Sequence, residues 1–174
     1  MVGAVTCPYV SALGDEDDDW LRAVFLERWG GEPIVGRGRA HRVDDLDGIA
    51  ALIGDERVGV LTYRIDLDVC QIVTLDAFRE GVGVGCALIE AVTARARAAG
   101  ASTLLVMTTN DNVGALRFYQ RAGFRLNELR SGAVDEARRV KPTIPLIGHD
   151  HIPIRDELDL VRNLSADPSR PSAG

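Results

Sequence analysis

The residues of this chain best suited by type and spacing to do chemistry form one short run, Arg79-Glu80-Gly81-Val82-Gly83-Val84-Gly85-Cys86. Glycines carry no side chain to block the approach of an anion, so backbone N–H groups can converge on it at the positive end of a helix; pyrophosphate is the ligand such a loop suits. The same glycines also serve a tight turn or close packing, and taken alone the run leaves both readings open. Two better-known phosphate loops do not fit. A Walker A loop ends in GK[ST], whereas Gly85 is followed by Cys86-Ala87. A dinucleotide fingerprint starting at Gly81 wants Gly or Ala where Cys86 stands, and it opens a βαβ domain instead of following a meander.

Further candidates are sparser. Cys7, Cys70 and Cys86 are odd in number and far apart, which suggests neither a disulfide framework nor a zinc site. His149 and His151 flank Asp150 and would suit a metal only from a strand with both rings on one face; a solvated loop is the simpler expectation, and no metal is expected.

The elements that must position the glycine run follow from periodicity. Asp17 to Asp19 precede a helical stripe of Trp20, Leu21, Val24, Phe25 and Trp29, stopped by Gly30-Gly31, with both tryptophans expected inward. Ile34–Gly38, Ile49–Ile53, Val58–Ile65 and Val69–Leu75 read as an antiparallel meander of three or four strands joined by turns such as Asp47-Gly48 and Gly54-Asp55. Val84–Ala99 is helical and ends at Gly100, and Thr103–Thr108 is a strand buried on both faces. Strand, helix and strand together make a βαβ crossover with parallel strands. A second helix runs from Asn112 to Ala122, closed by Gly123-Phe124. Then come a strand (Phe124–Leu129), a short polar segment (Val134–Val140), a proline-marked loop and a last strand, Ile152–Leu160. The fold class is α+β with a mixed sheet. Residues 1–14 read as an N-terminal tail, 15–164 as one domain, and 165–174 as a disordered C-terminal tail.

Composition narrows function. Twenty basic residues, all arginine except Lys141, against 26 acidic ones give a net charge of −6 without a basic stripe, which argues against a nucleic-acid partner. No apolar run approaches the roughly 20 residues of a membrane span, and no signal peptide is recognisable, so no membrane partner and a cytoplasmic location are expected.

With these residues in place the chain resembles the GCN5-related N-acetyltransferase (GNAT) family. There a strand, an acetyl-CoA loop written Q/R-x-x-G-x-G/A, a helix, a strand and an N-x-x-A-x-x-x-Y helix follow in order. Glu80-Gly81-Val82-Gly83-Val84-Gly85 fills the loop, and Asn112, Ala115, Tyr119, Gly123 and Phe124 fill the later pattern in full. The motif-bearing part runs from about Val58 to Leu126. One departure stands out: Glu80 occupies the position of the family's Gln or Arg. A carboxylate repels pyrophosphate, so the backbone amides would carry the binding. Cys86 stands where relatives often have Ser or Thr; a weak donor to the phosphate and a small buried helix residue are equally open readings.

The resemblance implies a GNAT-like mixed sheet with helices on both faces and two parallel strands that splay apart. Val73 and Leu75 would offer unpaired backbone to pantetheine, Gly81 to Cys86 would hold the pyrophosphate, and Asn112 would contact CoA or only cap its helix. An amine would attack the thioester of acetyl-CoA directly, with Tyr119 protonating the departing thiolate. Tyr119 lies seven residues, or roughly 10 Å, along the helix from Asn112. For the base, relatives often use a glutamate where this chain has Gln71; Asp76 or water are the alternatives, with Asp66 and Asp68 reading as a solvated hairpin pair. The acceptor is an amine of a small molecule, peptide or protein terminus, a homodimer is among the assemblies allowed, and a non-catalytic acyl-CoA-binding module is the competing reading.

Overall fold

The computed structural model describes residues 7–165. A seven-stranded mixed sheet, in the order β1-β4-β5-β6-β7-β9-β8, carries the molecule. Its first half is the expected meander: β4 (Asp47–Ile53), β5 (Glu56–Asp66) and β6 (Val69–Ala77) pair antiparallel through tight turns. Helix α2 (Val84–Ala98) then crosses over to β7 (Thr103–Thr109), which runs parallel to β6. Leu88, Ile89, Val92 and Ala96 recur at helical spacing and bury α2 against one face of the sheet, with Leu61, Ile72, Leu104 and Leu160 as its floor.

Helix α1 (Asp18–Trp29) covers the opposite face. Leu21, Val24 and Phe25 form a smaller core there with Val60 and Val43, and Gly30, in the left-handed region at φ 69°, ends the helix. Trp29 departs from the inward expectation. It is 39% exposed, because its place at the last turn carries the ring past the core to the rim, where its indole N–H finds a carboxylate.

Three other expectations need correction. Within the segment read as a tail, Tyr9–Ala12 forms the edge strand β1 on β4; Val10 packs on the core, and an edge strand needs only one neighbour. The expected strand over Ile34–Gly38 does not join the meander. β2 (Ile34–Gly36) and β3 (Arg39–His41) make a separate hairpin turning at Arg37-Gly38, both at positive φ. The last strand is displaced: β9 is Glu157–Asn163, inserted between β7 and β8 (Arg125–Arg130). Residues 153–156 leave the ladder because Asn110 holds their backbone, its Oδ1 accepting from the N–H groups of Arg155 and Asp156 and its Nδ2 donating to the Pro153 carbonyl. The C-terminal tail expected over 165–174 lies, save Ser165, outside the described residues.

α3 (Val113–Arg121) and α4 (Ala133–Val140) complete the fold. Phe124 folds back on α3 after Gly123, its ring 5.5 Å from that of Tyr119 in an edge-to-face contact.

Candidate active site

The parallel ladder between β6 and β7 ends at Ile72 and Val106. Beyond it β6 continues beside β5 as far as Ala77, while β7 follows β9 to Thr109, so the two strands part and a wedge opens between them. A cavity of about 610 Å³ occupies it, with Val73, Leu75 and Asp76 from one strand and Val106 to Thr109 from the other in its walls.

At the mouth of the wedge the glycine run divides into two jobs. Gly81 and Gly83 take left-handed φ values of 75° and 80°, and a Cβ on either would meet nothing within 4 Å, so open space lies against them. Gly83 caps α2 with its carbonyl, which accepts from Ala87 N–H, and the N–H groups of Val84, Gly85 and Cys86 precede the first intrahelical bond. Such a turn fits an anion. Val82 and Val84 put their side chains into the core, leaving only backbone for a ligand. Gly85 answers to packing: a Cβ there would come within 2.9 Å of the Phe118 ring. Arg79 donates to Glu56 at 2.9 Å, and Glu80 is exposed.

Cys86 is exposed, which removes the buried reading of this residue. It lines a groove between α2 and α3 with Gly114, Arg117, Phe118, Arg121 and Ala122. Asn112 both caps α3, its Oδ1 accepting from Ala115 N–H at 3.0 Å, and lines the wedge cavity.

Tyr119 and Asp76 share the wedge cavity from opposite faces of the sheet, Tyr119 within the core beneath α2 and Asp76 bonded to α1. Tyr119 is 7% exposed, and burial first, then the Asp76 charge, pushes its phenol well above the usual range. Asp76 accepts from Trp29 Nε1 at 2.8 Å; burial raises its carboxyl above the usual range, against the opposing pull of that bond and of the Arg28 charge. Gln71 also lines the cavity but cannot titrate, and Asp66 is exposed in the β5–β6 hairpin.

The family model described as the acetyltransferase (GNAT) family matches residues 9–124. The chain belongs to this family. It is similar to the uncharacterized protein YxbD of Bacillus subtilis (strain 168), 42% identical over 147 residues that cover 84% of this chain and 92% of YxbD. Among solved structures it resembles the IAA acetyltransferase from Bacillus cereus ATCC 14579, with a TM-score of 0.71 at 21% identity over 90% of this chain and 99% of that one. A GNAT acetyltransferase from Elizabethkingia anophelis, crystallised with acetyl-CoA bound, superposes with a TM-score of 0.67 at 17% identity over 90% and 97% of the two chains. The expectations of a GNAT fold and of an acetyl-CoA-dependent N-acetyltransferase are met.

In this GNAT enzyme the wedge is roofed by elements that the sequence did not assign to the site. Gly36 of the β2–β3 hairpin sits against Met107 of β7, and a Cβ there would collide with the Met107 methyl. Lys141, at the end of α4, is buried and donates to the carbonyls of Trp29, at 2.7 Å, and Gly31, so the last turn of α1 and the end of α4 are tied together over the cavity. Burial lowers the Lys141 ammonium below its usual value. Glu157 lines the cavity in an ion pair with Arg130, which also holds the buried Asp159 with two bonds of 2.6 and 2.7 Å. His149 and His151 lie in a short 3-10 turn and not on a strand.

His41, Asp111, Lys141, Arg117 and Arg121 were not singled out from sequence. For the last two a signal was present: Gly114, Arg117, Phe118 and Arg121 share one stripe of α3 at i, i+3, i+4, i+7 spacing. For the others only the tertiary meeting of distant segments reveals the site. No helix among the described residues is long and apolar enough to cross a membrane.

Proposed function

We propose that this enzyme acetylates a primary amine of a small molecule, with Asp76 as the proton acceptor and Tyr119 as the proton donor. The observation that carries this reading is that the two groups line one cavity from opposite faces of the sheet, at the point where the parallel strands part. A hairpin and a lysine-tied helix roof that cavity, which favours a small acceptor over a folded protein surface. Backbone of Val73 and Leu75 would receive pantetheine by strand addition, and the turn from Gly81 to Cys86 the pyrophosphate. Arg117 and Arg121, both exposed and without an acidic partner among the described residues, would take a further phosphate of CoA.

The chemistry balances as follows. An ammonium gives a proton to Asp76; the free amine attacks the thioester carbonyl, forming the C–N bond; the C–S bond breaks and the thiolate takes the Tyr119 proton, the second proton of the acylated nitrogen returns to the Tyr119 phenolate to leave the neutral amide, and Asp76 releases its proton to solvent. A carboxyl raised by burial is a better base toward an ammonium than an ordinary one. A cytoplasmic location is supported by the odd, widely spaced thiols, two of them exposed.

The test is purification under native conditions, mass spectrometry for retained CoA, and then an amine panel with acetyl-CoA, following both free thiol and acetylated product. Thiol release matched by acetyl-amine supports the proposal. Tight CoA binding with no product from any amine would support the non-catalytic module instead.

A further inference from the structure

The β2–β3 hairpin pairs with no strand of the large sheet among the described residues, and each of its strands is only three residues long. A two-stranded ribbon of that size is marginal on its own. Yet Ile34, Val35, Gly36 and His41 line the wedge cavity, so the position of the hairpin decides the shape of the wall there. Ile34 anchors its base in the α1 core, and Gly36 lies against Met107. The tip needs a tie of its own.

That tip is Arg37-Gly38, at φ 53° and 70°. Glycine or asparagine fills the first place of such a turn with less strain than arginine, so the arginine answers to something besides the turn. Its partners are on β9. The Arg37 N–H donates to Glu157 Oε2 at 3.0 Å, and its Nε lies 3.1 Å from Asp159 Oδ2, an ion pair whose alignment falls short of a hydrogen bond. Both carboxylates are buried, and Arg130 of β8 binds both as well. Apart from the exposed Glu128 beside Arg130, two guanidinium groups thus meet two carboxylates, and without Arg37 the buried pair would carry excess negative charge. Glu157 is part of the cavity wall and Arg37 is not, so Arg37 acts on the site through the hairpin.

Resting on the acetyltransferase reading above, we infer that Arg37 is a positioning residue that latches the β2–β3 hairpin onto Glu157 and Asp159 and thereby sets the affinity of the wedge for the acyl acceptor. With the latch broken the roof is closed in only a fraction of molecules, and apparent affinity falls by that fraction, whereas a saturating acceptor restores the closed form. The effect belongs in the acceptor KM and not in kcat. The hairpin contributes nothing to the groove between α2 and α3, so CoA binding should stay as it is.

The test uses two variants. Arg37→Gly suits the left-handed φ and keeps the backbone N–H for Glu157, removing the guanidinium alone; Arg37→Met keeps the stem and the strain. In hydrogen–deuterium exchange on the CoA-saturated protein, residues 34–41 should exchange at least about tenfold faster in both variants than in wild type, with β4 to β6 unchanged. With the best acceptor from the amine panel, both should raise the acceptor KM at least about fivefold, with kcat and the CoA dissociation constant within about twofold of wild type. Unchanged exchange over 34–41 in a folded variant, exchange that rises equally across the whole sheet, or an unchanged acceptor KM overturns the inference. Exchange decides the latch whether or not transfer occurs, whereas absence of acetyl product from every amine, with wild type included, would sink the proposed activity.

Discussion

Tyr119 is so thoroughly enclosed that its phenol keeps its proton throughout the pH range in which the protein is handled. A donor needed only when thiolate charge develops contributes to turnover and little to ground-state binding. Tyr119→Phe is therefore expected to lower kcat by about 10²- to 10⁴-fold while leaving the CoA dissociation constant nearly unchanged; full turnover in a variant whose chemical step limits the rate would make Tyr119 a packing residue. Asp76 carries the complementary prediction. With its folded pKa raised, the native chain holds this proton more tightly than the unfolded chain does. The stability it contributes is complete below the ordinary carboxylate pKa near 3.9 and is lost as pH rises through the folded value. Asp76→Asn should then melt higher than wild type at pH 7.5, with the gap closing toward pH 4, and should abolish an inflection in kcat/KM common to amines of different pKa. A variant that melts lower at neutral pH, or retains the inflection, would remove Asp76 from the role of base.

At the scale of elements, the glycine turn and the first turn of α2 separate two effects that a motif runs together. Gly83→Val forces a branched side chain into a left-handed backbone, at a cost of roughly 1–2 kcal/mol in stability, and fills open space beside the turn. CoA affinity should fall at least about tenfold, or 1.4 kcal/mol. Gly85→Ala instead drives a methyl into Phe118, next to Tyr119 on α3, so kcat and thermal midpoint should fall further than CoA affinity does. Isothermal binding and initial rates on the two variants check this contrast. The same elements show where sequence is legible. α2, β7 and α3 follow from their own periodicity and their glycine stops, and Tyr119 and the loop from spacing, because local pattern fixes them. The insertion of β9 between β7 and β8 depends on pairing with residues far away in the chain, and Asn110's hold on residues 153–156 cancels the alternation that suggested an earlier strand start. The roof is illegible for a related reason: His41, Asp111 and Lys141 come to line one cavity only after the hairpin, α4 and the wedge have assembled, and nothing in their own neighbourhoods announces it.

For the whole molecule, CoA would contact both halves of the sheet across the line where they part, so ligand binding should act on global stability. At a CoA concentration a hundred times its dissociation constant the native state gains about 2.7 kcal/mol, and a chain of this size should melt roughly 5–10 °C higher. Differential scanning calorimetry with CoA, without any acceptor, measures this; an unmoved midpoint at saturating CoA would contradict the placement. Added salt should shrink the shift, because Arg117 and Arg121 face the groove although the protein as a whole carries −6.

Lys141 has a consequence for handling the protein. Thioesters slowly acylate exposed amines, yet this chain presents guanidinium groups in place of ammonium groups everywhere but at Lys141, and that residue is buried with its Nζ held by two carbonyls. The enzyme is thus built with almost no amine of its own for its cosubstrate to modify. The same arrangement turns Lys141 into a natural reporter. With an amine-reactive ester, the only lysine adduct marks molecules whose roof has lifted, and at ester concentrations high enough for labelling to outrun reclosing, the rate at which the Lys141 adduct appears is the rate at which the roof over the wedge cavity opens.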